Sequence, residues 1–163
     1  MASVDETPLP NERPEEYVVR LAERKAMAVE AAPEETVLGA DTTVVVGGAM
    51  LGKPADEREA RGMLVRLSGR RHQVLTGICL RQASQVIRDW AATQVWFGAM
   101  SRREIREYVA SGEPMDKAGG YAIQGLASRH VERIEGCYFN VVGLPVALVY
   151  HHLQVLNNGQ ERQ

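Results

Sequence analysis

An acidic residue interrupts an apolar stretch in the first third of the chain. Asp41 follows Val37 and Leu38 and precedes the β-branched run 44–46, a pattern that predicts a buried strand. A carboxylate inside such a strand is costly unless it is paired or bound to a metal. The functional interpretation is a carboxylate that holds a divalent cation and orients a water molecule. The structural alternative is an aspartate at a strand end whose oxygens accept hydrogen bonds from backbone amides.

Two lysines stand where they suit an anionic ligand. Lys53 lies in the tight segment LGKP, where a lysine held by the turn presents a point charge to a phosphate. Lys25 shares a helical stripe with Leu21 and Val29, so its ammonium group can reach a cleft. The alternatives are a solvated turn lysine at the first position and, at the second, a lysine whose stem covers apolar surface.

The segment 116–121 combines two charged residues with a pair of glycines. Asp116 and Lys117 precede the glycine pair, a composition that favours close backbone approach to an anionic ligand. Gln124 follows, and its amide can pair with both the carbonyl and the N–H of a pyrimidine imide. Alternatively, the glycines form an ordinary turn and Lys117 pairs locally with Asp116. With the acid and the other lysines, the segment predicts phosphate chemistry assisted by a metal, without naming the bond that breaks.

The elements that position these residues alternate between helices and strands. Pro14 and the acids after it begin a helix over 14–31, and Asp56 caps a second helix over 57–67, on either side of the strand that holds Asp41. Strands over 72–82 and 85–97 follow and pair as a hairpin, and a helix then runs from Ser101 to Gly112. After an irregular loop over 113–128 come strands over 130–135 and 138–142. The chain ends with a helix from Pro145 to Leu156 and a frayed tail over 157–163. The order predicts one α/β domain over 1–163, with a mixed sheet flanked by helices.

Composition argues against several classes of function. The 163 residues carry a formal net charge of −2, which disfavours a nucleic-acid partner. The N-terminus is acidic and rich in proline, and no apolar run approaches the ~20 residues that span a bilayer. We therefore expect a cytoplasmic protein without a membrane partner. Cys79 and Cys137 are expected to be free thiols, and the histidine pair 151–152 to be a solvated surface pair.

Several long motifs, in the same order along the chain, resemble the Maf family of nucleoside triphosphate pyrophosphatases. They are ETPLPNERPEEYVVRLAERKA, VLGADTTVVVGGAMLGKP, LSGRRHQVLTG, SGEPMDKAGGYAIQG and YFNVVGLP, so the resemblance runs from about Asp5 to Leu156. It implies a mixed sheet flanked by helices and a deep central cleft. It also implies hydrolysis of the α–β phosphoanhydride bond with Mg²⁺ or Mn²⁺, and a homodimer would be ordinary for such a fold.

The resemblance assigns roles to individual residues. Asp41 matches the proton acceptor of the family, and Glu6 matches an acid near the metal, so these two are the expected metal ligands. Lys25, Lys53 and Lys117 match lysines that line the phosphate site.

Two further positions resemble the branch of the family that acts on dTTP and UTP. Thr42 follows the acid, and Gln124 lies in the motif AIQG. The branch acting on 7-methyl-GTP has a glutamine and a glutamate at these positions. The resemblance thus implies that Thr42 and Gln124 help to choose a pyrimidine base, normal or modified.

One segment of the family pattern has no counterpart in the sequence. Members usually begin with a strand that ends in a loop of the type SxSPRR, whose arginines grip the triphosphate. Two hypotheses follow: a working enzyme longer than this sequence, or a short form that binds nucleotide with little catalysis and acts in cell-division arrest. A third, an enzyme of the inosine-triphosphate pyrophosphatase type, predicts a purine preference, against which Gln124 argues.

Overall fold

A computed structural model describes residues 4–160 of the chain. The helices are α1 (Pro14–Met27), α2 (Glu57–Leu67), α3 (Arg102–Ala110), α4 (Tyr138–Val142) and α5 (Val146–Gln160). The strands are β1 (Val37–Val46), β2 (Ala49–Leu51), β3 (Arg71–Gln82), β4 (Gln85–Phe97) and β5 (Val131–Glu135). Short 3₁₀ turns cover Glu113–Asp116, Ala118–Gly120 and Leu126–His130. No helix in this part of the chain combines the length and apolar character needed to cross a membrane.

The five strands form one sheet in the order β2-β1-β3-β4-β5. The α/β class and the sheet flanked by helices are confirmed, but the expectation of a mixed sheet is wrong for residues 4–160, because all four described pairings are antiparallel. The connections explain two of these pairings. Two-residue turns at 47–48 and 83–84 join β1 to β2 and β3 to β4, and a turn that short reverses the chain.

The sheet separates two apolar regions. On one face, α1 packs through Val18 and Leu21 against Leu75 of β3. On the other face, α2, α3 and the segment 118–127 enclose the larger core around Leu64, with side chains from β1, β3 and β4. Burial of this kind on both faces supplies most of the favourable free energy of folding.

Two glycines on neighbouring strands let α1 lie directly on the sheet. A Cβ atom on Gly39 of β1 would overlap the carbonyl oxygen of Ala22, and one on Gly77 of β3 would overlap the backbone of Val18. Asp41 is the cross-strand neighbour of Gly77. The helix is therefore held against the point of the sheet where the acidic residue lies.

The second predicted strand near the C-terminus is wrong. Residues 138–142 form α4, because the side chain of Asn140 is fully buried and donates hydrogen bonds to the carbonyl oxygen of Val74 and to Oγ1 of Thr93. These long-range bonds override the β propensity of the aromatic and β-branched residues in the segment. Gly143, at φ 120°, then ends the helix in a conformation that other residues rarely adopt.

Two helix boundaries and one side-chain environment also differ from the sequence-based expectations. Helix α1 ends at Met27 rather than 31, and α5 continues past 156 to Gln160, so only 161–163 of the predicted frayed tail lie outside the described residues. His152 is not simply solvated, since Nε2 lies 2.7 Å from a carboxylate oxygen of Asp89. Cys79 and Cys137 are free thiols, as predicted.

Candidate active site

A cavity of about 590 Å³ opens beside the first half of β1. Its volume falls in the range of small-molecule sites. Six of the predicted site residues line it: Glu6, Lys25, Asp41, Thr42, Lys53 and Lys117. These six residues are up to 111 positions apart in the chain.

Lys25 joins two of the acids that line the cavity, Glu6 and Asp41. Its Nζ lies 2.5 Å from Oδ1 of Asp41 and 2.9 Å from Oε1 of Glu6. The Asp41 side chain is only 10% exposed, whereas that of Glu6 is 47% exposed. The ammonium group thus compensates a largely buried carboxylate, which settles the question left open for Lys25 in favour of a head group that points into the cavity.

Burial and pairing act in opposite directions on the protonation of this cluster. Burial raises the pKa of Asp41 above its ordinary value, although the charges of Lys25 and Lys53 oppose the shift. Burial also disfavours the charged form of Lys25, but the hydrogen bonds to Asp41 and Glu6 outweigh it and raise the pKa of the lysine. An aspartate with a raised pKa is a better proton acceptor than an ordinary one.

The N-terminal segment is tied to α1, and this places Glu6 at the cavity. The hydroxyl of Tyr17 donates to the carbonyl oxygen of Glu6 at 2.9 Å. Arg24 donates to the carbonyl oxygen of Asp5 at 3.1 Å, and Arg20 donates to that of Thr7 at 3.2 Å. One helix therefore positions both the lysine and the second acid.

A backbone hydrogen bond connects the two loops that carry the other lysines. The amide of Gly119 donates to the carbonyl oxygen of Gly52 at 2.9 Å. Gly119 has φ 70°, and a Cβ atom there would lie 2.8 Å from the Val44 side chain, so this approach requires glycine. Lys53 is exposed, while Lys117 lies 2.7 Å from Oδ1 of Asp116, the local pairing that the sequence left open.

An aromatic cluster supports the wall beside Lys117. Tyr121 lines the cavity, and its hydroxyl lies 2.8 Å from Nε2 of the buried His72. The Tyr121 ring packs edge-on against Phe97, with centroids 4.7 Å apart. Burial lowers the pKa of His72 to about 4, so the imidazole is neutral at pH 7.

The part of the cavity wall that contains Thr42 rests on two buried polar residues, Thr76 and Asn140, which the sequence alone did not indicate. Oγ1 of Thr42 lies 2.9 Å from Oγ1 of Thr76, which donates to the carbonyl oxygen of Asn140 at 3.1 Å. The signal available in the sequence was Asn140 itself, a polar residue inside the apolar stretch YFNVVGLP.

Gln124 is the predicted site residue that the structure does not bring to the cavity. Its side chain is exposed, because the buried neighbours Tyr121 and Ile123 turn toward the core. The segment is held against α3, where the hydroxyl of Tyr108 accepts a hydrogen bond from the amide of Ala122. The chain in this region thus directs Gln124 outward, which corrects its expected place in the cavity.

Comparison with known proteins shows which family the chain belongs to. A sequence model of one protein family, described as "Maf-like protein", matches residues 1–156. The chain belongs to the Maf family. A Maf protein of Sphingopyxis alaskensis named dTTP/UTP pyrophosphatase is 56% identical over 144 residues, covering 88% of this chain and 76% of its own.

Other Maf proteins are similarly related. Proteins of the same name from Anaeromyxobacter dehalogenans and Syntrophomonas wolfei are 50% and 49% identical, covering 90% and 91% of this chain and 76% and 80% of their own.

The Maf cavity contains carboxylates that could hold a divalent cation. Within residues 4–160, no group of three or more histidine, cysteine, aspartate or glutamate side chains is arranged to hold a metal. Glu6 and Asp41, however, face a common cation, the Lys25 ammonium group. Two carboxylates fit a hard cation such as Mg²⁺ that takes its other ligands from phosphate oxygens and water.

Proposed function

We propose that this chain hydrolyses dTTP and UTP to the nucleoside monophosphate and pyrophosphate. The observation that carries the proposal is the cluster of Asp41, Lys25 and Glu6 in a cavity of nucleotide size. The names of the related Maf proteins supply the substrate class.

The cavity has a charged part and an apolar part, as a nucleotide requires. Lys25, Lys53 and Lys117 supply positive charge to the phosphates. Thr42 lines the cavity together with apolar residues, and we assign this part of the cavity to the base; the apolar residues are Val74, Val141 and Val142. The phosphates thus lie against the acid and the lysines, and the base lies against Thr42.

Asp41 is the proposed catalytic base. Its carboxylate positions an attacking water and accepts a proton from it, while the water oxygen forms a bond to phosphorus. The bond from phosphorus to the bridging oxygen breaks, and the electron pair leaves with pyrophosphate. The ammonium groups stabilise the negative charge that develops on the phosphate oxygens.

A divalent cation, Mg²⁺ or Mn²⁺, is expected to be held by Asp41 and Glu6 together with the substrate. When bound, it neutralises phosphate charge and favours deprotonation of water. Lys25 would then share its partners with the cation, which fits the partial exposure of Glu6.

Base choice is assigned first to Thr42, because Thr42 lines the cavity and Gln124 does not. The part assigned to Gln124 by resemblance stays a prediction, as do a homodimer and a cytoplasmic location.

Release of pyrophosphate from dTTP and UTP in the presence of Mg²⁺ tests the proposal. The protein should release pyrophosphate, and Asp41→Asn should lower kcat about 100-fold or more while nucleotide still binds. Glu57→Gln is the matched control, since it changes an exposed carboxylate on α2 that pairs with Arg61 and does not line the cavity. Calorimetric binding of dTTP by the unaltered protein without any release would overturn hydrolysis and favour the binding form.

A further inference from the structure

We propose that Thr76 acts as a positioning residue that fixes Thr42 as a hydrogen-bond acceptor toward the nucleobase. The inference rests on the proposed function, and it deepens that function by naming how the site would distinguish uracil and thymine from cytosine.

The two threonines are direct cross-strand neighbours, Thr42 on β1 and Thr76 on β3. Their Oγ1 atoms lie 2.9 Å apart. Thr76 is completely buried, whereas Thr42 is partly exposed and lines the cavity. Only the Thr42 hydroxyl can therefore meet a ligand, and Thr76 acts through it.

The carbonyl oxygens of Asn140 and Gly143 decide which acceptor each threonine hydroxyl meets. Oγ1 of Thr76 donates to the carbonyl oxygen of Asn140 at 3.1 Å. Thr76 has no second hydrogen to offer, so Thr42 donates its hydrogen to Oγ1 of Thr76. In this arrangement, Thr42 has only lone pairs left for the cavity.

The opposite arrangement is less favourable. If Thr76 donates to Thr42, the acceptor inside the protein for the hydrogen of Thr42 is the carbonyl oxygen of Gly143, 3.5 Å away. That contact is longer than the 3.1 Å bond from Thr76 to the carbonyl oxygen of Asn140, so the first arrangement is favoured. In the favoured arrangement, both hydroxyl hydrogens meet acceptors inside the protein, and Thr42 faces a ligand as an acceptor.

Neighbouring hydrogen bonds keep the donor and acceptor roles of the two threonine hydroxyls fixed. The side-chain nitrogen of Asn140 donates to the carbonyl oxygen of Val74 at 3.0 Å and to Oγ1 of Thr93 at 3.1 Å. Thr93 in turn donates to the carbonyl oxygen of Cys137 at 3.0 Å. The carbonyl of Asn140 is thereby held in place under Thr76, and reorienting it would break buried hydrogen bonds.

An acceptor at this position suits an imide N–H. Uracil and thymine carry hydrogen on N3, so they can donate to Oγ1 of Thr42. Cytosine carries a lone pair on N3, and two lone pairs facing each other leave both groups without a partner. Discrimination at Thr42 therefore depends on a residue, Thr76, that never touches the base.

The test compares UTP with CTP in variants of Thr76. Thr76→Val removes the hydroxyl at nearly constant volume, and the carbonyl of Asn140 still accepts from the amide of Gly143 at 3.1 Å. The freed hydroxyl of Thr42 can then rotate and donate to cytosine. We expect the ratio of kcat/KM for UTP over CTP to fall about tenfold, as the loss of one hydrogen-bond preference implies.

Thr76→Ser is the matched control, because it keeps the hydroxyl and should keep the ratio. If Thr76 has a merely structural role, its loss should lower kcat/KM for UTP and for CTP by the same factor and leave their ratio unchanged. That result overturns the inference. If Thr76→Val does not fold, Thr76→Ala removes the same hydroxyl and is judged by the same ratio.

Dissociation constants separate this inference from the proposed function. The ratio for UTP and CTP, measured by calorimetry with Mg²⁺, should shift in Thr76→Val by the same factor even if no nucleotide is hydrolysed. A protein that shows the shift without turnover contradicts the hydrolase and supports the positioning role. A protein that hydrolyses UTP but shows an unshifted ratio in Thr76→Val supports the hydrolase and contradicts the positioning role.

Discussion

The ammonium nitrogen of Lys25 on α1 lies 2.5 Å from Oδ1 of Asp41 on β1. The contact joins a helix face to a strand, and it exists because α1 rests on the sheet at Gly39 and Gly77 without intervening side chains. A packing feature of the fold therefore determines the electrostatic state of the proposed catalytic base.

Replacement of the lysine tests this dependence. Lys25→Met should lower kcat/KM for dTTP about 100-fold, because Asp41 and Glu6 lose the charge that they share and the phosphates lose a cation. Steady-state release of pyrophosphate measures the effect. Arg106→Met, on the exposed face of α3, removes a charge away from the cavity and should leave the rate unchanged.

The contact between helix and sheet has its own test. Gly39→Ala should lower the free energy of unfolding by about 1–3 kcal/mol, because the new methyl group overlaps the backbone of α1 and pushes the helix away. Urea unfolding measures the loss, and pyrophosphate release should fall with it as Lys25 is displaced. Gly62→Ala on α2 has open space around the new methyl group and should stabilise the helix instead. Equal stability of the two variants would contradict the close packing of α1.

Stability should depend on pH through His72. Burial depresses the folded-state pKa to about 4, from an ordinary value of 6.5. The unfolded chain therefore binds a proton at higher pH than the folded protein does. The contribution of His72 to the free energy of unfolding is fully present above pH 6.5. It is lost as the pH falls toward 4, by about 3 kcal/mol in total.

His72→Gln isolates this effect, since glutamine does not titrate and can still reach the hydroxyl of Tyr121. The difference in unfolding free energy between the two proteins, measured in urea at steps from pH 7.5 to 4, should change steadily in favour of the variant as the pH falls. A difference that stays constant with pH would show that His72 is not held neutral.

The loop that carries Lys117 should depend on Tyr108. Its buried hydroxyl donates to Oε1 of Glu113 at 2.7 Å and accepts from the amide of Ala122 at 3.2 Å. Tyr108→Phe removes both bonds and should cost about 1–3 kcal/mol of unfolding free energy. It should also raise KM for dTTP, because the loop holds a phosphate-binding lysine less firmly.

Tyr150→Phe is the matched control for that experiment. Tyr150 is 62% exposed on α5, so its hydroxyl is replaced by water contacts at little cost. The midpoint of thermal unfolding and the KM for dTTP should both match the values of the unaltered protein. A Tyr108 variant with the same behaviour would contradict the anchoring of the loop.

Elements with local signals were predicted well from the sequence. Asp56 accepts the hydrogen bond from the amide of Glu59 that a helix N-cap requires, and Ser101 and Glu104 form the predicted capping box. The hairpin of β3 and β4 was also predicted, because its two strands and the short polar turn between them lie within one stretch of chain. Such signals act over a few residues, so they do not depend on the rest of the fold.

The structure departs from the sequence-based expectations where distant partners decide the conformation. The segment 138–142 has the composition of a strand, but the buried bonds of Asn140 make it a helix. Gln124 stands in a recognisable motif, but packing of its neighbours turns it away from the cavity. Neither contact can be derived from spacing along the chain.

The sequence by itself determined the residue types of the site, an acid in an apolar strand with lysines in glycine-bearing loops, and its motifs indicated the family. Only the tertiary structure decided that Lys25 joins Asp41 to Glu6 and that Thr76 stands behind Thr42. The physical reason is that hydrogen bonds and ion pairs require separations near 3 Å, and only the packing of α1 and α4 on the sheet brings residues so far apart in the chain within that distance.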